Sequence, residues 1–419
     1  MPPSVWHQPG GLCGKDYFND TIMRNIDRRG FIRTGITGAA GIVALTPSVV
    51  SAVTSREKID VISRTLGKTG MKVPVISFGV MRADNPNLCK AAYEKGIKLF
   101  DTAHGYQNGN NEIMLGNLLK DYPRDSFYLA TKVKPAGVDR DGKPSDQTNA
   151  EDFLSKFNTS LSRLKMDYVD ILYIHDIRNP EMLEFKPIIN VVKKLKKEGK
   201  IKFMGFSTHA NEPVVIDAAA ATDTWDVILT AYNFKHTYIN ELNSAIKKAN
   251  QSGIGIVAMK TLAGGGFLDK EKTKPINSTA ALKWVLSNPD VTTAIPGMTD
   301  FDQLDLNVKI LADISITDQE KKDLIIASAE KDLYCTGCTK CLASCPMKLP
   351  VPDLMRAYMY AYGYSNPAMA YSLLGELGTN NNPCSECGSC QVKCTRDFNI
   401  REKIADISRL VDVPKDFLA

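Results

Sequence analysis

The chain has 419 residues, 43% hydrophobic and 24% charged, with a formal net charge of +5. That length accommodates one large domain and a small one, and the near-neutral balance without a basic stripe argues against a nucleic-acid partner. No apolar run reaches the roughly 18 to 20 residues that a bilayer-spanning helix needs.

The first segment carries an address. Asp27-Arg28-Arg29-Gly30-Phe31-Ile32-Arg33 precedes a Gly- and Ala-rich apolar stretch over 36–45, then Pro47 and small residues ending near Ala52. An arginine pair alone usually marks a solvated surface. Here a phenylalanine, a further basic residue and a weakly apolar core of signal length follow it. Residues 1–52 are therefore read as a twin-arginine export signal with an N-terminal extension, with cleavage expected after Ala52 and a periplasmic destination. Met1 and Met23 both stand as possible starts.

Beyond it, short runs rich in Val, Ile and Phe recur at 73–79, 97–102, 127–133, 168–175, 201–207, 227–233, 254–261 and 292–297. Segments of helical period, such as 150–165 and 278–288, alternate with them. Eight such units predict an α/β fold, a closed (β/α)8 TIM barrel over residues 60–315. An open doubly wound sheet is the alternative, but no G-x-G-x-x-G follows the first strand.

In a barrel of this kind the chemistry belongs at the C-terminal strand ends. Asp101 lies at the end of the second run with Tyr106 just beyond it, Lys132 ends the third, and His175 closes the fourth. Taken singly, these are a loop cap, a packing ring, a snorkelling lysine and a core histidine. On three consecutive strand ends they read jointly as a proton-donating site. Lys132 is expected to lower the tyrosine pKa by favouring phenolate, Asp101 to hold Lys132, and His175 to hydrogen-bond a substrate carbonyl.

Eight of the ten cysteines form two C-x2-C-x2-C-x3-C runs: Cys335, Cys338, Cys341 and Cys345, then Cys384, Cys387, Cys390 and Cys394. Three thiolates on a tight loop grip one 4Fe-4S cube while the fourth serves its neighbour, so the spacing predicts two 4Fe-4S clusters in a domain at 330–412. Crossed ligation would join Cys335, Cys338 and Cys341 to Cys394, and Cys384, Cys387 and Cys390 to Cys345. Zinc prefers separated C-x2-C pairs, and a disulfide framework suits short secreted chains. Two helices are expected between the runs, at 351–362 and 366–377, with Tyr and Met residues packing around the clusters.

Over residues 64–313 the sequence resembles the aldo-keto reductases. The likeness is carried by Arg64-Thr65-Leu66-Gly67-Lys68-Thr69-Gly70-Met71-Lys72-Val73 as an opening hairpin, by Phe100-Asp101-Thr102-Ala103 with Tyr106, and by Ala130-Thr131-Lys132. Residues 164–175, which end in His175, the stretch 199–207 and the segment Ala294-Ile295-Pro296-Gly297-Met298-Thr299 continue it. The resemblance implies hydride transfer between a nicotinamide and a carbonyl or alcohol substrate, with Asp101, Tyr106, Lys132 and His175 as catalytic tetrad. It places Ser207 on the nicotinamide amide, Lys260 toward the pyrophosphate, and Gly297, Thr299, Gln303 and Asn307 at the adenosine phosphate end. Members with a C-terminal ferredoxin-like segment form a subgroup that this chain resembles.

The chain departs from the family pattern in having Thr208 after Ser207, Leu229 where many members place a glutamine, and no Lys or Arg between Gly297 and Asn307. The cofactor is therefore NADP or NAD, both open. The direction of catalysis, the redox or structural role of the clusters, and a one-electron partner also stay open. Segments 134–149 and 232–239 are candidate pocket walls. The competing reading is a non-enzymatic electron-transfer or partner-binding protein that keeps the barrel as a scaffold.

Overall fold

A computed structural model describes residues 60–139, 141–264, 276–329 and 334–418. The twin-arginine segment lies outside the described residues. No helix among them is long and apolar enough to cross a membrane.

The chain enters through an antiparallel hairpin of β1 (Ser63–Thr65) and β2 (Lys72–Pro74), with Arg64 opposite Val73. Its turn presses Gly67, at φ 50°, against the backbone of 253–255 so closely that no Cβ would fit. Leu66, Met71 and Val73 thereby plug the base of the barrel.

Eight parallel strands follow: β3 (Phe78–Gly79), β4 (Leu99–Asp101), β5 (Tyr128–Val133), β6 (Val169–Ile174), β7 (Ile201–Thr208), β8 (Val227–Ala231), β9 (Gly255–Met259) and β10 (Thr293–Ala294). Parallel bridges Ile76 to Ala294 and Gly79 to Gly297 join the last strand to the first, so the sheet is a nearly closed (β/α)8 barrel. The seam demands Gly79, whose Cβ would lie 2.7 Å from the Ile295 carbonyl oxygen.

The run expected as one strand at 73–79 is divided. Lys72–Pro74 pairs with β1 at the base, and Ile76 with Phe78–Gly79 serves the barrel. Pro74 sits opposite Ser63 at a non-hydrogen-bonded pair, where its missing N–H costs nothing, and the last bond of the hairpin is Val75 N–H to the Ile62 carbonyl at 3.0 Å. Expected helices at 150–165 and 278–288 are observed as Ala150–Leu164 and Ser278–Ser287.

Strand alternation positions the site. Phe100, Leu129, Leu172, Ile174, Met204, Phe206, Ile228 and Ile256 face the surrounding helices in the main core. Leu99, Ala130, Ile171, Tyr173, Val227, Leu229 and Val257 fill the barrel interior. Asp101, Lys132, His175 and Ser207 are in phase with the interior set, one layer higher.

The C-terminal domain contains helices Val351–Tyr358, Pro367–Glu376 and Ile400–Ser408, the first running on into a π turn at Met359–Gly363. Its small core groups Tyr334, Leu354, Met355, Tyr358, Leu374, Ile404 and Ile407 with Cys341, Cys345 and Cys384. Ala263 of the barrel belongs to the same cluster, with Phe234 packed against it.

Candidate functional site

Tyr106 stands on the turn after β4, which two left-handed residues, Gln107 at φ 50° and Asn108 at φ 54°, bend sharply. Such residues persist only where neighbours hold them. Gln107 Nε2 donates to the carbonyls of Met81 and Ala83, at 3.1 and 3.2 Å. Asn111 donates to Val80 at 2.8 Å and accepts from the Thr102 hydroxyl at 2.6 Å. The tyrosine loop is thus tied to the loop after β3.

Lys132 Nζ donates to Asp101 Oδ1, to the Thr102 carbonyl at 2.8 Å and to Tyr106 Oη at 3.3 Å. The Tyr106 and His175 rings meet edge to face, with centroids 6.1 Å apart. All four residues expected to act together therefore converge at one corner of the barrel mouth. Burial raises the Asp101 carboxyl against the pull of Lys132. Burial alone would lower Lys132, but attraction to Asp101 and Tyr106 wins and its pKa lies above the ordinary lysine value. His175, desolvated and near Lys132, is pushed down to about 3 and is neutral at physiological pH.

One expectation is corrected. Tyr106 is held above 10, because burial outweighs the ammonium of Lys132 and Asp101 adds repulsion. A neutral phenol that hydrogen-bonds an ammonium is a proton donor rather than a standing phenolate.

Ser207 is fully buried, and its Oγ accepts the Asp176 N–H at 3.0 Å. Leu229 lies opposite it in register and offers no polar atom to an amide. Gln303 is engaged with Thr299, whose N–H it accepts at 3.0 Å, and with Asp300, to which its Nε2 donates at 2.5 Å. Asp300 caps the helix Phe301–Ile310, so the segment expected to meet the adenosine end carries a carboxylate. Asn307 is buried on that helix, and exposed Gly297 sits at the seam.

Lys260 is half-buried. It lines a cavity of about 10 Å³ with His209, Tyr334, Cys335, Thr336, Arg356 and others, room for one water. Burial, reinforced by Arg356, lowers it to about 7. The candidate wall at 232–239 is used for docking as well. Asn233 donates to the Tyr334 hydroxyl at 2.8 Å, and the Tyr238 hydroxyl to the Thr336 carbonyl at 3.0 Å. In the other candidate wall, Lys134 pairs with Glu376 at 3.1 Å.

The cysteines gather as the crossed pattern requires. Cys335, Cys338, Cys341 and Cys394 line one cavity, with Val351, Pro352, Met355 and Phe398 among its walls. Cys338 Sγ lies 3.3 Å from the hydroxyl of Thr395, the residue after Cys394. The thiol of Cys384 feels Cys387, Cys345 and Cys390. Burial pushes Cys335 to about 11 and Cys341 to about 12, so these thiols give up protons only to a bound metal. No three His, Cys, Asp or Glu side chains among the described residues converge tightly enough for a single ion. Four sulfurs ringing a cavity are the donor set of an iron-sulfur cube.

Sequence reasoning missed the groups that dock the two domains. Arg178 pairs with both Asp176 and Asp353, and Arg356 lies between the same two carboxylates. Arg178, two residues beyond Asp176, looks in sequence like any loop cation; only its partner 175 residues away distinguishes it. Tyr173 was also missed, its buried hydroxyl having no hydrogen-bond partner in the barrel interior.

Residues 79–280 match the model of the Aldo/keto reductase family, and residues 334–400 match that of the 4Fe-4S dicluster domain. The chain is 27% identical over 312 residues to the "Probable aldo-keto reductase 1" of Glycine max, covering 62% of this chain and 87% of the relative. It is 28% identical over 302 residues to the L-galactose dehydrogenase of Arabidopsis thaliana, covering 62% and 91%. The solved aldo-keto reductase AKR11C1 of Bacillus halodurans superposes with a TM-score of 0.51 at 23% identity, covering 64% of this chain and 97% of that one, a likeness of fold. The family models point to an oxidoreductase. The chain carries an aldo/keto reductase family domain joined to a 4Fe-4S dicluster domain.

Proposed function

We propose that the protein transfers hydride between a nicotinamide and a carbonyl or alcohol substrate, with Tyr106 as proton donor and two 4Fe-4S clusters bound in crossed fashion. The bonded chain Asp101, Lys132, Tyr106 carries this reading. Ser207, Lys260, Gly297, Thr299, Gln303 and Asn307 would hold the nicotinamide, which when bound would supply hydride to the carbonyl carbon. Tyr106 gives its proton to the carbonyl oxygen as the alcohol forms, and Lys132 stabilises the phenolate left behind. Neutral His175 orients the carbonyl by a hydrogen bond.

Asp300 at the adenosine end opposes a 2'-phosphate and favours NAD. The name of the Arabidopsis relative makes polyhydroxylated aldehydes and lactols the first substrates to screen. Tyr106→Phe should lower carbonyl reduction by about 10²- to 10⁴-fold while nicotinamide titration is unchanged; an unaltered rate would remove Tyr106 from the mechanism.

A second reading has an observation in its favour. Half-buried Lys260 shares a small cavity with Arg356, Met359 and Tyr334 of the cluster domain, which leaves less room for a dinucleotide on that side. A protein that binds neither NADH nor NADPH would be an electron-transfer or partner-binding protein using the barrel as scaffold. Export by the twin-arginine route to the periplasm is part of the proposal, since that route carries folded proteins with clusters already inserted. Free nicotinamide is not expected there, so the cofactor is tightly retained, with the clusters stabilising or feeding a one-electron partner.

A further inference from the structure

The turn after β6 joins the reacting corner to the cluster domain. Asp176, adjacent to His175, has a left-handed backbone at φ 66°. A residue with a side chain seldom keeps that conformation without support. Its N–H is anchored on Ser207 Oγ, and its carboxylate is gripped by Arg178, with His209 Nε2 at 3.3 Å and Arg356 at 3.8 Å. Arg178 reaches with its other nitrogen to Asp353, which Arg356 also faces at 3.4 Å.

Asp353 and Arg356 belong to the helix Val351–Tyr358. Val351, Pro352 and Met355 of the same helix line the cavity ringed by Cys335, Cys338, Cys341 and Cys394. One helix therefore stands between the thiols and the strained turn, touching the thiol cavity with one set of residues and the turn with another.

We infer that Arg178 and Asp353 are positioning residues that fasten Asp176 to the cluster-bearing helix and so hold His175 and Ser207 in place. Assembly of the neighbouring cluster and completion of the barrel site are then one event. The inference rests on the reading of Tyr106 and His175 as reducing a carbonyl. Removing one partner of a buried ion pair leaves the other uncompensated, and the turn is the part free to relax. A shift of about 1 Å at His175 is enough to cost about a hundredfold in rate.

The test uses iron-loaded, full-length Asp353→Asn and Arg178→Met proteins. Amide hydrogen exchange is followed over 174–178 and 205–209 beside cluster absorbance, electron paramagnetic resonance, kcat and KM. Both variants should keep their cluster spectra, exchange faster by about tenfold at 174–178, and lose about tenfold to a hundredfold in kcat. Asp353→Glu should recover most of both, and chelator-stripped wild type should show the same exchange change at 174–178. Unchanged exchange at 174–178 in both variants with clusters intact would overturn the inference, as would faster exchange with kcat untouched. Wild type that reduces no carbonyl would remove the parent reading, leaving the exchange measurements to decide the coupling.

Discussion

The barrel buries Leu, Ile, Val and Phe in two concentric layers, with the charge pair Lys132 and Asp101 at the mouth. The cluster domain buries far less. Three of its sixteen clustered core positions are cysteines, Cys341, Cys345 and Cys384, and one more, Ala263, is borrowed from the barrel. A sheet closed on itself needs nothing further to hold it, whereas a domain of this size with so small a core leans on a metal. On this contrast the barrel is expected to fold by burial alone, and the segment 334–418 to need its iron-sulfur sites filled.

The largest expected effect breaks that contrast open. Iron removal, or Cys338→Ser, should unfold much of 334–418 while the barrel stays folded, read as protease cleavage after residue 330 with strand and helix signals of the barrel kept. Coincident loss of both domains would mean that the barrel depends on the cluster as well. A protein matured in a competent host should contain close to eight irons per chain, as two four-iron clusters require, and stoichiometric zinc without iron would refute the assignment.

A smaller effect sharpens the contrast inside the barrel. Lys132→Met leaves Asp101 buried with an unpaired charge, and Asp101 Oδ2 already lacks a partner. Stability to denaturant should fall by about 3–5 kcal/mol. An unchanged unfolding midpoint would show that Asp101 takes up a proton at little cost.

The smallest expected effect lies where the barrel meets the cluster domain. Burial lifts Glu212 to about 7, against its own backbone N–H and the neighbouring Tyr238 hydroxyl, 2.9 Å away. The folded state thus holds this proton more firmly than the unfolded chain, whose value is near 4.5. Stability contributed by the protonated acid is present at low pH, declines as pH rises through 4.5 to 7, and is gone above that window. Glu212→Gln should flatten the difference in Tm between pH 5 and pH 8; parallel slopes in the two proteins would exclude Glu212 as the titrating group.

Much of the fold was legible because alternation and spacing are local properties. Eight apolar runs declared the barrel, and the crossed thiols followed from C-x2-C-x2-C-x3-C. Asp101, Lys132 and His175 were readable as strand-end residues because each lies in phase with the barrel interior. What stayed hidden was long-range. Val73 and Phe78 sit in one apolar run, yet they pair with different partners. Nothing near Asn233, Tyr238 or Lys260 announces that a domain a hundred residues on will cover them. Tyr106 was misjudged in sign because burial, which depends on the whole assembled mouth, outweighs the one neighbour that sequence could name.

The π turn at Met359–Gly363 has a consequence for how such a chain can vary. An α-helix repeats its faces every 3.6 residues, and one added residue rotates everything downstream by about 100°. Val351, Pro352 and Met355, upstream of the turn, look to the thiols. Downstream of it, Tyr364 lies under the Arg82 guanidinium, 5.5 Å from the ring centroid. The widened turn closes the helix, with Tyr364 as its C-cap and Ser365 at φ 50° turning the chain away. Residues before it serve the thiols and the tyrosine that ends it reaches the barrel, so deleting one residue within 351–363 is expected to cost more than exchanging one side chain.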